Sequence, residues 1–291
     1  MKRSILGVLI VLTFVAVGIA AAPPLTFTFS DVIATKTALE TDSYGVNNAG
    51  AIAGDYIDSA SVQHGMILAG KKLTTIDSKK CTAVISFYAI NSAGTAAGWC
   101  TGTSGNPIAF TWAKGKFTTV AYPKALGTEA TGINDKGDVS GFYLDSAGAQ
   151  HAFIKKGKKY TSIDVKGDTS ADAYGISNAG VACVYAINSA GGYSSFLYNG
   201  KKFTPISDPN AGATGTVCHA PNNKGDLTGT YFNSASQAVG FLLHGGKYYD
   251  LMDPKASNST RSDGLNDKLE MVGRYTPSAG GNFGFKATTK K

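Results

Sequence analysis

Apolar and polar residues alternate along this chain in short runs, and glycine and asparagine separate one run from the next. The run YTSID at Tyr160 and the run FTTVA at Phe117 both show this period of two, which is typical of a strand with one buried face. No long stretch repeats apolar residues at the spacing of an α-helix. The sequence therefore predicts an all-β protein.

One six-residue phrase recurs along the chain. Its first position holds a small residue, and its second position usually holds an aliphatic one. Asn or Ser follows at the third position, then two turn residues and, in five copies, Gly. The copies are GVNNAG at Gly45, AINSAG at Ala89, GINDKG at Gly132, GISNAG at Gly175, APNNKG at Ala220 and GLNDKL at Gly264. Their starts lie 43 to 45 residues apart. Such a fixed period indicates one supersecondary unit used six times.

Each unit repeats further landmarks after this phrase. A second Gly, a Tyr two residues later, a polar Asp/Asn-Ser-Ala loop, a third apolar strand and a Gly-Lys turn follow in most units. Asn at the first turn position accepts hydrogen bonds from the backbone that follows it, and Gly supplies the positive φ angle of a tight hairpin. Each unit therefore predicts four short antiparallel strands, which form one propeller blade.

The last unit has no fourth strand, because the chain stops at Lys291. The run LTFTFSDV, Leu25 to Val32, has the fourth-strand pattern and precedes the first unit. We therefore predict a six-bladed β-propeller of four-stranded antiparallel blades over residues 25–288. The N-terminal strand closes it by pairing with Phe283 to Ala287 in the last blade, which leaves no open edge.

The segments HAFIKKGKKYTSID and AYGISNAG resemble the HAF family of probable extracellular repeats. That family takes its name from the His-Ala-Phe found here at residues 151–153. The resemblance runs from Leu25 to Thr288 and implies an exported, repeat-built, propeller-like protein without catalytic residues. The chain departs from the pattern because only His151 and His64 keep the His, which argues against chemistry at this position.

The N-terminus predicts export. Lys2 and Arg3 precede an apolar run, and small residues followed by two prolines end it, so residues 1–22 are interpreted as a signal peptide. An uncleaved membrane anchor is the alternative. The formal net charge is +7, and the lysines are spread through Gly-Lys turns. This distribution argues against nucleic-acid binding but leaves acidic cell-surface polymers as partners.

Four cysteines in an exported protein suggest disulfides. Cys81 lies in the loop that enters the second unit and Cys100 ends that unit's second strand, so both fall on one face. We predict a Cys81–Cys100 bridge. Cys183 and Cys218 lie on neighbouring blades and form either a second bridge or two buried, apolar thiols.

Residues that differ from blade to blade are the best candidates for a site, because the repeat itself does not need them. Two such positions lie where each first strand enters, and together they should surround one mouth of the central channel. The ligand-binding candidates there are Asp42, Glu129, Asp172, His219, Arg261 and Asp263. Such a cluster is suited to a polar ligand or to acid and base catalysis. Solvated strand ends are the alternative reading.

Other motifs give weaker signals. His64 and His151 are interpreted as structural, because no cluster of zinc ligands accompanies them. The loops NDKGD at Asn134 and NNKGD at Asn222 resemble calcium loops, but the same slot elsewhere lacks acidic residues, so hairpin turns are favoured. No nucleophile elbow, zinc-protease motif or phosphate loop occurs. The sequence predicts no catalytic residue, cofactor or metal.

These observations favour a secreted, monomeric, non-catalytic protein that binds a glycan, a peptide or a cell-surface protein at the channel mouth. One alternative is a propeller hydrolase or lyase acting on a polar substrate such as a polysaccharide, with Glu129, Asp172, His219 and Arg261 as its site. Another is a structural cell-surface protein. Propeller folds host binding proteins and enzymes alike, so the fold does not decide between them.

Overall fold

A computed structural model describes residues 25–290, and every regular element in this range is a β-strand. The predicted signal peptide, residues 1–22, lies outside the described residues. The chain begins with β1 (Thr26–Val32). The first four-stranded sheet follows and contains β2 (Glu40–Val46), β3 (Ile52–Ile57), β4 (Gln63–Ala69) and β5 (Lys72–Ile76). No helix within 25–290 is long and apolar enough to cross a membrane.

Three further four-stranded sheets have the same up-and-down order. The second contains β6 (Ile85–Ile90), β7 (Ala96–Thr101), β8 (Pro107–Ala113) and β9 (Lys116–Val120). The third contains β10 (Gly127–Ile133), β11 (Val139–Leu144), β12 (Gln150–Lys156) and β13 (Lys159–Ile163). The fourth contains β14 (Ser170–Ile176), β15 (Ala182–Ile187), β16 (Tyr193–Tyr198) and β17 (Phe203–Ile206). These antiparallel sheets are the blades of a propeller-like arrangement.

The remaining strands form one eight-stranded sheet together with β1. They are β18 (Thr216–Pro221), β19 (Leu227–Phe232), β20 (Ala238–His244), β21 (Lys247–Leu251), β22 (Ser259–Leu265), β23 (Glu270–Thr276) and β24 (Phe283–Lys290). The sequence predicts six separate blades, whereas the structure has four separate four-stranded sheets and one larger sheet. A single parallel pair, Ala238 opposite Ser259, joins the two halves of the larger sheet.

The N-terminal strand lies at the edge of this larger sheet. β1 pairs antiparallel with β24 from Thr26 opposite Lys290 to Val32 opposite Gly284. The rings of Phe29 and Phe285 pack with their centres 5.4 Å apart across this pair. The two ends of the described chain are thus joined by backbone pairing and by aromatic packing.

The hydrophobic core lies between neighbouring sheets. One cluster combines Ile67 and Ile76 from the first sheet with Ile85, Phe87 and Phe110 from the second. Another combines Val32, Val46, Ile52, Tyr56, Met66 and Val272, so residues of β1 and β23 pack on the first sheet. Each sheet therefore buries its apolar face only by packing against the next one.

The first strand of each unit carries a β-bulge at the same place. In β2 the register with β3 shifts between Ser43 and Gly45, and the same shift recurs in every other first strand. Beside the bulge, a backbone carbonyl of the first strand lies close to the second strand. A Cβ on Gly54 would lie 1.9 Å from the Asp42 carbonyl oxygen. In five units a Gly at this position of the second strand accommodates the contact, whereas the fourth unit has Val184 there.

The small residues of the first strands allow these strands to approach closely. A Cβ on Gly45 would lie 2.7 Å from the Cα of Ala89 in the next unit, and one on Gly264 would lie 2.5 Å from the Tyr44 carbonyl oxygen. The last first strand, β22, is therefore also in close backbone contact with β2. Any larger side chain at these positions would overfill the space between strands.

The predicted bridge between Cys81 and Cys100 is confirmed, with the two Cα atoms 5.5 Å apart. Cys183 and Cys218 are free thiols and both are buried, which agrees with the second of the two readings given above. The bridge ties the loop before β6 to the end of β7.

We predict that replacing Cys81 and Cys100 together by serine lowers the free energy of unfolding by about 3 kcal/mol, because the bridge closes a loop of roughly 20 residues. Urea unfolding of the double variant and of the native protein measures this difference. A reductant should destabilise the native protein by a similar amount and leave the variant unchanged. An unchanged urea midpoint in the double variant would contradict the prediction.

Candidate ligand-binding site

The first strands of the six units surround a common axis. The bulge in each first strand points one side chain towards that axis. A bulge leaves one residue outside the ladder and turns its side chain away from its neighbours. The bulged residues are Tyr44, Tyr88, Thr131, Tyr174, His219 and Asp263. All but Tyr88 are buried.

These side chains form a polar and aromatic plug across the channel. The rings of Tyr44 and Tyr88 stack with their centres 4.4 Å apart, and the centres of Tyr174 and His219 lie 4.5 Å apart. Tyr88 meets Tyr174 edge-on at 5.7 Å. Burial raises the pKa of the Tyr44 and Tyr174 phenols well above the ordinary value, so both hydroxyls stay neutral. The plug separates two cavities, one at each end of the channel.

The cavity of about 100 Å³ on one side is lined by the repeated turn phrases. Its polar groups are bonded to one another around the ring. The Nδ2 atom of Asn47 donates to the Asn91 carbonyl at 3.0 Å, and that of Asn266 donates to the Asn47 carbonyl at 3.0 Å. Backbone N–H groups donate to the next turn's side chain in the same manner, as at Asp267 and Asn48 (2.9 Å). This end of the channel therefore has a structural role.

The loops that resemble calcium sites belong to this turn system. The Asn134 Oδ1 atom accepts hydrogen bonds from the backbone N–H groups of Lys136 (3.0 Å) and Asp138 (2.9 Å), and Gly137 has a φ of 78°. These are the features of a hairpin turn. Within residues 25–290, no three His, Cys, Asp or Glu side chains are grouped as metal ligands would be.

The second cavity, of about 170 Å³, lies on the opposite side of the plug and differs in character. Hereafter it is called the channel cavity. Besides plug residues, its wall contains three aromatic side chains, three polar or charged side chains and one valine. These additional residues are Tyr185, Tyr193, Val217, Thr230, Phe232, Arg261 and Arg274. The residues come mainly from the fourth, fifth and sixth units, so the cavity is asymmetric although the repeat is regular.

Arg274 is held by carboxylates and by an aromatic face. Its Nη1 atom lies 3.6 Å from Asp263 Oδ2, and its Nε atom lies 3.8 Å from Asp42 Oδ1. The guanidinium carbon lies 5.1 Å from the centre of the Tyr44 ring. Its positive charge is therefore compensated within the protein.

His219 is a neutral side chain at this site. Its Nδ1 atom donates to the Ser262 carbonyl at 2.9 Å and lies 3.3 Å from Asp263 Oδ1. Burial lowers the pKa of His219 below its ordinary value, although Asp263 acts in the opposite direction. The imidazole is consequently uncharged at neutral pH and keeps Nε2 as a hydrogen-bond acceptor.

Two buried oxygen atoms of the cavity wall have no hydrogen-bond partner among residues 25–290. They are Thr230 Oγ1 and Asp263 Oδ2, in side chains that are 2% and 3% exposed. The Arg274 Nη1 nitrogen, 3.6 Å from Asp263 Oδ2, is also without a hydrogen bond to any residue that the structure describes. Leaving a buried hydroxyl or carboxylate oxygen without a partner costs about 1–3 kcal/mol. Such groups in the wall of a cavity are suited to a polar ligand that supplies the missing hydrogen bonds.

The predicted site residues fall into two groups. His219, Arg261 and Asp263 line the channel cavity, and Asp42 lies behind it on Arg274. Glu129 and Asp172 do not line it. The Asp172 carboxylate accepts hydrogen bonds from Thr131 Oγ1 at 3.3 Å and from the Tyr185 hydroxyl at 3.4 Å. The wall of the channel cavity thus contains three of the six predicted residues, and ligand binding by any of the six stays a prediction.

The sequence interpretation missed the second-strand side of the cavity. Tyr185, Thr230 and Arg274 each occupy the position directly after the landmark of the second strand. They lie opposite Asp172, Val217 and Arg261 in the first strand. The same position holds Asp55, Trp99 and Phe142 in the other units. This position varies from unit to unit, although the Gly before it and the Tyr after it recur in most units. That variation was the signal in the sequence that could have marked it as a candidate site position.

His64 and His151 lie away from the channel cavity and are each held by two carboxylates. His64 Nδ1 lies 2.8 Å from Asp77 Oδ1 and its Nε2 lies 3.3 Å from Asp58 Oδ2. His151 makes equivalent contacts and stacks on Tyr143. These contacts tie the loop between the second and third strands to the end of the fourth strand.

No protein-family model and no curated protein matches the sequence. Among solved structures, the chain is similar to the fucose-specific lectin from Aleuria aurantia, with a TM-score of 0.55 and 11% identity over 88% of this chain and 95% of that one. The SapL1 lectin in complex with alpha methyl fucoside has a TM-score of 0.54 and 9% identity over 84% of this chain and 91% of that one.

A third similar structure is TolB from Acinetobacter baumannii, with a TM-score of 0.56 and 11% identity over 83% of this chain and 65% of that one. Identities this low show the fold alone. The fold is that of a β-propeller, which hosts different functions in different proteins.

Glu129 provides a pH-dependent test of this part of the structure. Burial, together with the nearby Asp172 carboxylate, raises its pKa from 4.5 to about 9. An unfolded chain releases this proton near pH 4.5 whereas the folded protein keeps it, so this group makes the protein less stable as the pH rises from about 4.5 to 9.

We predict that Glu129→Gln raises the unfolding midpoint by about 3 °C or more at pH 8 and has little effect near pH 4.5. Differential scanning calorimetry at both pH values measures this change. The exposed Asp250, in β21, provides the control variant Asp250→Asn, which should show no such dependence on pH. Equal effects of Glu129→Gln at both pH values would contradict the prediction.

Proposed function

We propose that this protein is a non-catalytic, glycan-binding β-propeller whose site is the channel cavity. One observation carries the proposal: the buried Thr230 hydroxyl and the Asp263 carboxylate oxygen have no partner in the wall of a cavity that also has aromatic side chains. Sugars present hydroxyl groups around a ring that also has apolar C–H faces. They therefore match a wall that combines buried polar atoms with aromatic rings.

The size of the cavity favours a small ligand. Its volume of about 170 Å³ is below the range of roughly 300–1,000 Å³ that is typical for drug-sized ligands. We infer that one sugar ring enters, and that the rest of a longer glycan stays outside. Tyr185 and Tyr193 provide the aromatic surface, with their ring centres 6.0 Å apart.

The lectins among the similar structures support this proposal without deciding it. Both are named for or solved with fucose or a fucoside, and their chains share this fold at low identity. The lectins do not identify the sugar that this chain binds, because the residues of its channel cavity come from positions that differ between units.

The hydrolase or lyase alternative depended on four residues acting together. Only His219 and Arg261 of these line the channel cavity. The pKa of Glu129 is raised to about 9 and that of Asp172 to about 7, mainly by burial, but neither carboxyl group reaches the cavity wall. Proton transfer requires direct contact with the reacting group or one bridging water. Binding without catalysis is therefore favoured.

We also propose that the ring has six blades and is closed by β1, with the eight-stranded sheet counted as two blades. Two observations support this arrangement. The parallel link between the halves of that sheet is one residue pair, and β1 has the position of a fourth strand on β24. Contacts of the last turn phrase with the first, such as Asn266 with Asn47, also support it.

Export and membership of the HAF family belong to the same proposal. The N-terminal sequence has the pattern of a signal peptide. The Cys81–Cys100 bridge supports folding in an oxidising compartment. A secreted or cell-surface location would bring the channel cavity into contact with extracellular glycans.

We predict that Thr230→Val weakens glycan binding about five- to tenfold without lowering stability. The change removes one hydroxyl at nearly constant shape. A buried hydroxyl that lacks a protein partner makes folding less favourable, but it supplies one hydrogen bond to the ligand. A glycan array identifies the bound sugar, and titration calorimetry with that sugar compares the variants.

The matched control is Thr204→Val, on the exposed face of β17. It should leave the affinity unchanged. An array on which the native protein binds no glycan would contradict the proposed function. Full affinity of Thr230→Val for the bound sugar would contradict the assignment of the site.

A further inference from the structure

Arg261 is the starting point for a more specific statement about the ligand. It lines the channel cavity, and its guanidinium carbon lies 5.8 Å from the centre of the Phe232 ring. Within residues 25–290, it makes no ion pair with a carboxylate at 4 Å or less, whereas Arg274 contacts both Asp42 and Asp263. Stacking on an aromatic ring orients a guanidinium while leaving its N–H groups free to donate.

The charges around the cavity are therefore unevenly compensated. Arg274 and Asp263 neutralise each other at 3.6 Å, and Asp42 adds a second carboxylate near Arg274. His219 is neutral because burial lowers its pKa. Among the lining side chains that the structure describes, Arg261 is the cation without a counter-charge. The charges of Arg261, Arg274, Asp42 and Asp263 sum to zero, but both carboxylates lie on Arg274, so a ligand carboxylate would give Arg261 its partner.

We propose that the channel cavity binds an acidic sugar, a pyranose ring that carries a carboxylate. This inference rests on the proposed glycan-binding function. The carboxylate pairs with Arg261, since the planar guanidinium presents N–H donors in a fork that fits two carboxylate oxygens. The sugar hydroxyls face the buried Thr230 and Asp263 oxygens, and the ring lies beside Tyr185 and Tyr193.

The arrangement also explains how an anion enters a cavity that already contains Asp263. That carboxylate is 3% exposed and is held between Arg274 and His219. The Arg274 guanidinium offsets the Asp263 charge, so this carboxylate repels an anion at Arg261 less than an unpaired carboxylate would and serves as an acceptor for sugar hydroxyls. Without the predicted signal peptide, which holds Lys2 and Arg3, the formal net charge falls from +7 to about +5, and this positive charge still favours the approach of acidic polymers.

The test uses titration calorimetry of the intact protein with matched methyl glycosides. These are galacturonate with galactose, glucuronate with glucose, and galactose 6-sulfate as a different anionic sugar. We expect at least one uronate to bind about tenfold or more tightly than its neutral partner, because a charge-assisted hydrogen bond is stronger than a neutral one. This preference should decrease as salt is added.

Arg261→Gln should bring the ratio of the uronate affinity to the neutral-partner affinity down to about one, and both affinities are measured so that this ratio is the readout. Lys202→Gln removes the same charge from an exposed position outside the cavity and should preserve the preference. A circular dichroism melt of each variant shows that it is folded.

Several outcomes would overturn the inference. Equal affinity for a uronate and its neutral partner would overturn the acidic-sugar assignment while leaving glycan binding intact. Binding of the sulfated sugar but of neither uronate would do the same. A uronate preference that survives Arg261→Gln would remove Arg261 from the site. Absence of binding to every sugar would overturn the proposed function as well.

Discussion

The close approach of the first strands around the channel axis is the constraint on which the rest of the structure depends. A Cβ atom on Gly264 would lie only 2.5 Å from the Tyr44 carbonyl oxygen, and one on Gly45 would lie 2.7 Å from the Ala89 Cα atom. Backbones this close leave no room for side chains between them. Each first strand therefore places its large side chains elsewhere, and the β-bulge supplies the change of direction. The same contact favours the landmark Gly of the second strand in five units, whereas Val184 takes its place in the fourth.

The two ends of the channel differ because the residues at one end recur in nearly every unit, whereas those at the other end change from unit to unit. At the turn end, asparagine side chains and backbone groups bond from unit to unit, so that surface repeats the same contact. At the other end, the bulged residue, the residue two positions before it and the residue after the second-strand landmark vary between units. Their variation brings Arg261, Asp263 and Thr230 into one cavity, with Arg274 behind them. A regular scaffold thus carries an asymmetric site, which is a common way for repeat-built proteins to acquire specificity.

Much of the fold could be predicted from the sequence, because strong local rules determine it. The turn phrase predicts the hairpin, its period predicts the units, and the pattern of Leu25 to Val32 predicts a strand that pairs near the C-terminus, as β1 does with β24. The site was less accessible. His219 and Arg261 interrupt the repeat and could be found, whereas Arg274 and Thr230 look like ordinary strand residues until the bulge sets their register. Glu129 and Asp172 are charged in the sequence, but neither lines the cavity, and Asp172 is held by Thr131 and Tyr185.

A cysteine cross-link between β1 and β24 tests most directly whether the ring closes and so encloses a channel. Thr28 lies directly opposite Thr288, whereas Thr289 points to the other face of the sheet. Directly opposed residues of an antiparallel pair have Cα atoms about 4.5–5.5 Å apart, which suits a disulfide. Closure predicts that oxidation links the Thr28→Cys, Thr288→Cys variant, as peptide mass spectrometry would show, and leaves Thr28→Cys with Thr289→Cys open. No link in the first variant, or equal linkage in both, would contradict a closed ring.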